Sequence, residues 1–273
     1  MNNKIHTLYF SATGTTEKIV TGIADKIAEN YGGNITVNRI DFTLPEARKK
    51  KFSFDKDDLV IAGIPVYAGR VPNVLLNFLN TISGNGATVA AVVLYGNRNY
   101  DDALIEFKDI LESKGFNVIG AGAFIGEHSF STTLGASRPD EQDMAVAADF
   151  AAKIYDKTKT PGGNSAIIVK GNKPYKKYYQ PKDLNGNPVS ILKVTPKTNS
   201  ECIDCKLCSE VCPMGSIDSD DVSKITGICI KCCACVKKCP VGAKYFDDEK
   251  YLWHKHELEV QFGATRREPE CFV

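Results

Sequence analysis

Residues 4–30 read KIHTLYFSATGTTEKIVTGIADKIAEN, and the order of patterns in that stretch decides the fold. The run from Ile5 to Phe10 has the length and the aromatic and β-branched content of a buried strand. It stops at Ser11-Ala12-Thr13-Gly14-Thr15-Thr16. Apolar residues then resume at helical spacing, with Ile19, Ile23 and Ile27 on one face and Val20 and Ala24 beside them. Strand, polar turn and amphipathic helix are the opening half of a βαβ unit. Hydroxyls at 11, 13, 15 and 16, the loop N–H groups and the helix N-terminus converge on one point. The loop is either an anion site built of neutral donors or an ordinary helix cap. It has no Lys, so it is not the phosphate loop of a nucleotide triphosphatase.

The same alternation continues outward. Apolar runs suited to parallel strands follow at 34–40, 58–64, 87–95 and 117–125. Pro72 fits the first turn of a helix carrying Val74, Leu75, Phe78, Leu79 and Ile82. Asp101 and Asp102 open another, with Leu104, Phe107, Ile110 and Leu111 inward and Gly115 as its stop. A fourth helix runs from Pro139-Asp140-Glu141 to about Tyr155. The expectation for residues 1–157 is a doubly wound α/β domain on a five-stranded parallel sheet. Residues 158–198, punctuated by Pro161, Gly162, Gly163, Gly171, Pro174, Gly186, Pro188 and Pro196, read as an ordered connector. Two apolar pieces, Ala166–Val169 and Val189–Val194, are placed to pair or pack. Residues 247–273, with the single Trp253, are too short to fold alone and are expected to pack back on the body.

Composition is that of a globular protein, 43% hydrophobic and 25% charged, with a net charge of +1. Nothing in it suggests a nucleic-acid or membrane-surface partner. No apolar run approaches the ~18 residues of a membrane span, and the N-terminus runs straight into the first strand, so a cytoplasmic location is expected.

The first 201 residues contain no cysteine; nine fall between 202 and 239, and Cys271 stands alone. Such clustering without a secretion signal reads as metal binding rather than disulfides. Residues 199–246 contain a repeat with an offset of 27: Cys202, Cys205, Cys208, Cys212, Pro213 and Gly215 recur as Cys229, Cys232, Cys235, Cys239, Pro240 and Gly242. Each unit is C-x-x-C-x-x-C-x-x-x-C-P. Three thiolates at that spacing hold three irons of one cubane, and the fourth turns away to the other cluster. The expected sets are Cys202, Cys205, Cys208 and Cys239 on one [4Fe-4S] cluster, and Cys229, Cys232, Cys235 and Cys212 on a second. Zinc knuckles pair two C-x-x-C units and lack the third Cys and the C-P. Cys233 and Cys271 read as small buried side chains.

The cysteine repeat resembles the bacterial-type two-cluster ferredoxins over about fifty residues. The pattern S/T-x-T-G-x-T after strand one resembles flavodoxin, over roughly residues 4–157. That resemblance implies FMN, with its phosphate on Ser11, Thr13, Gly14, Thr15 and Thr16. It implies flavin contacts from Pro65, Val66, Tyr67, Ala68 and Gly69 after strand three, and from Tyr95, Gly96, Asn97, Arg98 and Tyr100 after strand four. Both loops follow strand C-termini, where such sheets bind ligands. Arg98 would favour reduced, anionic flavin if turned inward. His128 is either a hydrogen-bonded loop histidine or a proton donor at the flavin. Gly120-Ala121-Gly122 with Gly126 lies in and after strand five with no helix opening from it, so it is not a dinucleotide fingerprint. The expected function is an electron-transfer flavoprotein relaying electrons between two clusters and FMN, with unidentified redox partner proteins. The alternatives are an FMN-dependent reductase of a small molecule fed by the clusters, and a module whose clusters are structural or sensing elements. Direct oxidation of NAD(P)H is not expected.

Overall fold

The computed structural model describes residues 4–32, 35–160, 167–183 and 185–273. Asn34 of the second expected strand, and Pro161, Gly162, Gly163 and Ala166 of the connector, lie outside the described residues. Five strands pair in parallel in the order β2-β1-β3-β4-β5. They are β1 (Lys4–Tyr9), β2 (Val37–Asp41), β3 (Asp58–Pro65), β4 (Thr88–Tyr95) and β5 (Asn117–Ile125). The chain leaves β1 for one neighbour and returns to the other, so the strand order reverses beside β1. A crevice forms there at the strand C-termini.

The central strands are apolar throughout because helices cover both faces. Helices α1 (Thr15–Asn30) and α4 (Glu141–Lys159) lie on one, where Ile19, Ile23 and Ile27 share a core with Phe150, Ala151 and Ile154. Helices α2 (Asn73–Leu79) and α3 (Ala103–Ser113) lie on the other, around Leu75, Phe78, Leu104 and Phe107. Close packing of α1 depends on Gly63 in β3, where a Cβ would fall 2.2 Å from the Val20 side chain. Pro72 precedes α2 and fixes its entry.

Two features depart from the sequence reading. The sheet has six strands, not five, because β8 (Glu270–Phe272) adds antiparallel to β5. Three residues from the far end of the chain carry no periodicity that marks them as a strand. Asp102 precedes α3 but its carboxylate does not cap it. It accepts hydrogen bonds from Asn172 N (2.9 Å), Asn172 Nδ2 (2.8 Å) and Lys176 N (2.7 Å), and so holds the connector to the domain.

Ile167 and Val169 of the connector are buried in the α2/α3 core while Ile168 is 89% exposed, which is strand-like alternation without a strand partner. The second piece forms no strand, and Leu192 is 80% exposed. Tyr175 and Tyr178 flank Arg70, whose guanidinium sits 4.9 and 5.1 Å from their ring centres and pairs with Glu106 at 2.7 Å. Beyond the connector, β6 (Lys197–Thr198) and β7 (Lys244–Tyr245) pair antiparallel and close the ends of the cysteine repeat. The repeat contributes two single-turn helices, α5 (Leu207–Glu210) and α6 (Ala234–Lys237). Helix α7 (Glu249–Phe262), capped by Asp248 on Tyr251 N (3.0 Å), then returns to the first domain. Tyr251 packs on Phe130 with ring centres 4.8 Å apart. Among the described residues no helix is long and apolar enough to cross a membrane.

Candidate functional site

The loop from β1 to α1 turns at Gly14, whose φ of +88° favours a residue without Cβ although a Cβ there would meet nothing within 4 Å. Ser11 is used locally: its Oγ accepts from Glu17 N (3.0 Å) and its N donates to Thr43 Oγ1 (2.7 Å). Thr13, Thr15 and Thr16 line a cleft with about 490 Å³ of empty space at the C-terminal ends of the strands. Its opposite walls carry Pro65, Val66 and Tyr67 after β3, and Tyr95 and Gly96 after β4. Gly126, Glu127, His128 and Ser129, which follow β5, complete the rim. Among the described residues no Lys or Arg lines the cleft, so a bound anion would meet hydroxyls and N–H dipoles.

The remaining expected contacts are committed elsewhere. Ala68 (φ +52°) and Gly69 (φ +77°) form the tip of a tight turn closed by reciprocal Tyr67–Arg70 backbone hydrogen bonds of 3.1 Å. Asn97 turns from the cleft to the C-terminal tail. Its Nδ2 donates to Phe262 O and Thr265 O at 2.8 Å, and its Oδ1 accepts from Arg267 N at 3.1 Å. Arg98 pairs with Asp101 and lies 4.6 Å over the Tyr179 ring, so its charge is met away from the cleft. Tyr100 is buried against Tyr95, ring centres 5.7 Å apart.

His128 is a hydrogen-bonded loop residue that also borders the cleft. Its Nδ1 accepts from Phe130 N (3.1 Å), leaving the ring proton on Nε2. Burial, with His254, Lys237 and Arg98 nearby, lowers its pKa to about 3 and keeps the ring neutral. A Cβ on Gly96 would fall 2.4–2.8 Å from His128, so that glycine permits the loop to close.

The cysteines surround two cavities. One, of about 380 Å³, is lined by Cys212, Cys229, Cys232 and Cys235 together with Ile217, Ile225, Ile230 and Phe246. The other, of about 320 Å³, is lined by Cys202, Cys205, Cys208 and Cys239 with Ile203, Val222 and Val241. Each cavity therefore takes three cysteines from one repeat and the C-P cysteine from the other. The turns after Cys212 and Cys239 match: Ser216 N donates to Cys212 Sγ at 3.4 Å and Ala243 N to Cys239 Sγ at 3.2 Å. Burial pushes the Cys232 thiol up to about 12, and raises Cys235 as well. Thiols in so apolar a wall ionise only against a metal centre, and the thiolate-lined, apolar cavities suit iron–sulfur clusters. Among the described residues no three His, Cys, Asp or Glu converge as a single ion requires. Cys233 borders the first cavity, but its Sγ lies 3.4 Å from Tyr251 Oη and 3.5 Å from Lys231 O.

Cys232 also lines the cleft that holds Thr13, Thr15, Thr16 and Tyr67, so one residue is shared by the cleft and a cysteine cavity. Tyr67 is held far above its ordinary pKa by burial and then by the nearby Cys232, Cys233 and Cys229. Cys232 does not stand out in the sequence as a cleft residue, because the module that brings it there begins some forty residues past the α/β domain.

Residues 7–109 match the flavodoxin domain family, and residues 196–218 match the 4Fe-4S binding domain family. No curated protein matches the chain. Among solved structures, the flavodoxin of Streptococcus pneumoniae TIGR4 is 21% identical with a TM-score of 0.40, covering 56% of this chain and 98% of its own. A Fusobacterium nucleatum flavodoxin bound to flavin mononucleotide is 18% identical with a TM-score of 0.37, covering 56% and 98%. An azoreductase of Bacillus anthracis is 14% identical with a TM-score of 0.39, covering 57% and 99%. The chain thus joins a flavodoxin-like domain to a ferredoxin-type 4Fe-4S motif. That make-up is one of an electron-transfer flavin and iron–sulfur protein with redox partners.

Proposed function

We propose that the chain is an iron–sulfur flavoprotein that relays electrons between two [4Fe-4S] clusters and FMN, held by the cysteine sets and cleft described above. The observation that carries this reading is Cys232, which faces the cleft and a cysteine cavity at once. FMN exchanges one or two electrons and each cluster exchanges one, so a shared wall is where the two kinds of centre would meet. The protein's own part is to hold them close and exclude water from the gap. Tyr67, half-buried between the cleft and the Cys229–Cys235 segment, would fill part of that gap.

The test is stopped-flow reduction with a low-potential one-electron donor under anaerobic conditions. The flavin absorbance is expected to bleach after the clusters, in a first-order phase whose rate does not change with protein concentration. A phase that accelerates with protein concentration, or fast hydride transfer from NADH to FMN, would overturn the relay and favour a reductase. The phosphate end is tested separately. Thr15→Ala with Thr16→Ala removes two hydroxyl donors and is expected to weaken FMN by about 1–3 kcal/mol, read by flavin fluorescence titration. An unchanged Kd would remove the loop from the site.

A further inference from the structure

Lys237 stands between Cys235 and Cys239, at the end of the four-residue helix α6, yet its ammonium is used in the other domain. It pairs with Glu127 and donates to His128 O at 2.8 Å and Ser131 O at 3.0 Å. Glu127, His128 and Ser129 form one rim of the cleft, so this single side chain gathers most of that rim. The contact is not a loose surface pair: the Lys237 side chain is 17% exposed, the Glu127 side chain 29%, and two of the three acceptors are backbone carbonyls. The loop has other anchors, since Ser131 Oγ donates to Glu259 of α7 and Phe130 packs on Tyr251, but these act at residues 130 and 131, beyond the part that lines the cleft. Its internal hydrogen bonds run from Glu127 N to Arg138 O, from His128 N to Leu134 O and from Ser131 N to His128 O.

The repeat supplies an internal comparison. The residue 27 positions earlier, Glu210, ends α5 in the same place relative to Cys208 and Cys212. Glu210 is exposed. The two units differ in charge here, as they also do at Asp204 and Lys231, and the cation at this position occurs in the unit whose Cys232 lines the cleft.

We infer that Lys237 is a positioning residue through which the iron–sulfur module completes the FMN cleft. The inference rests on the proposed FMN site. Lys237 lies two residues from each of Cys235 and Cys239, which fixes where the ammonium sits, and the ammonium fixes where the loop 127–131 sits against the flavin. Flavin affinity is then set partly by a side chain that belongs to the other domain.

The test uses the full chain, purified anaerobically with its clusters, and titrates it with FMN while counting iron. Lys237→Met is expected to weaken FMN about tenfold at unchanged iron content, with an altered visible circular dichroism of the bound flavin. Lys237→Arg, which keeps the cation and the donors, is expected to restore most of that affinity. Glu127→Gln should give a similar loss and add little to Lys237→Met, because the two act as one contact. Unchanged FMN affinity in Lys237→Met, or losses that add in the double variant, would overturn the inference. Should Lys237→Met lose its iron, Glu127→Gln alone decides, since it lies outside the module; full affinity there overturns the coupling. A cluster-loaded parent chain that binds no FMN would instead refute the flavin site, and the coupling with it.

Discussion

Replacing Cys212 by Ala is expected to remove the cluster of the cavity that Cys212 shares with Cys229, Cys232 and Cys235, while the other cluster persists. Iron should fall from about eight to about four atoms per chain, and one of two sets of reduced-cluster EPR signals should disappear. Cys212 lies four residues after Cys208 and seventeen before Cys229, so sequence proximity alone would assign it to the wrong trio. The turn after it decides otherwise: Pro213 follows, Gly215 takes φ +59°, and Ser216 N donates back to the Cys212 sulfur, which lines the cavity of Cys229, Cys232 and Cys235. Cys239, followed by Pro240 and by Gly242 at φ +67°, repeats this with Ala243 N. Cys212→Ala and Cys232→Ala should therefore damage the same EPR signal, and Cys239→Ala and Cys205→Ala the other. Cys233→Ala should spare both, because that thiol meets Tyr251 and Lys231. Loss of the same signal in Cys212→Ala and Cys205→Ala would refute the crossed pairing.

The parts legible in the sequence are those whose cause is local or periodic. A strand buried on both faces must be apolar along its length, and a helix on a sheet must show its stripe, so β1, β3, β4, β5 and the helices between them can be read directly. The cysteine repeat is legible because metal geometry fixes spacing within a few residues. The Ser11–Thr16 loop shows the right residue types, yet only the structure separates Thr13, Thr15 and Thr16, which line the cleft, from Ser11, which caps the Glu17 N–H. What the sequence hides are contacts between segments far apart in the chain. Asn97, Arg98 and Tyr100 follow β4 where the flavin was expected. Asn97 instead binds the 262–267 segment, Arg98 meets Tyr179, and Tyr100 packs against Tyr95, near Glu270 of the tail. A polar side chain in a loop has no periodicity to show which partner it serves. Lys237 is hidden for the same reason, since between two ligands it reads as solvated charge.

Replacing Arg138 by Met is expected to destabilise the folded chain by about 3–5 kcal/mol, seen as a lower urea midpoint at constant cluster content. Asp143, in the first turn of α4, is fully buried, and Arg138 holds both its oxygens, through Nε at 2.8 Å and through Nη2. Met would fill the space but leave the buried carboxylate only the more distant Arg266, 3.8 Å from Oδ1, and that desolvation dominates the expected loss. Two further effects add to it. Asp143 Oδ2 accepts from Asp140 N (3.0 Å) in the capping box of α4, and Arg138 Nη1 donates to Arg267 O at 2.6 Å. The same guanidinium thus joins the start of α4 to the tail that Asn97 clamps above β4 and that continues into β8. Asp143→Asn keeps an acceptor for the cap and removes the charge, so adding it to Arg138→Met should recover about half of the loss. Equal stability of the single and double variants would show that the lost tail contact, not the unpaired carboxylate, sets the cost. The tail would then detach first, and proteolysis after residue 262 should precede global unfolding in Arg138→Met. Recovery in the double variant would instead place the effect in the α4 terminus, with the tail still docked on β5.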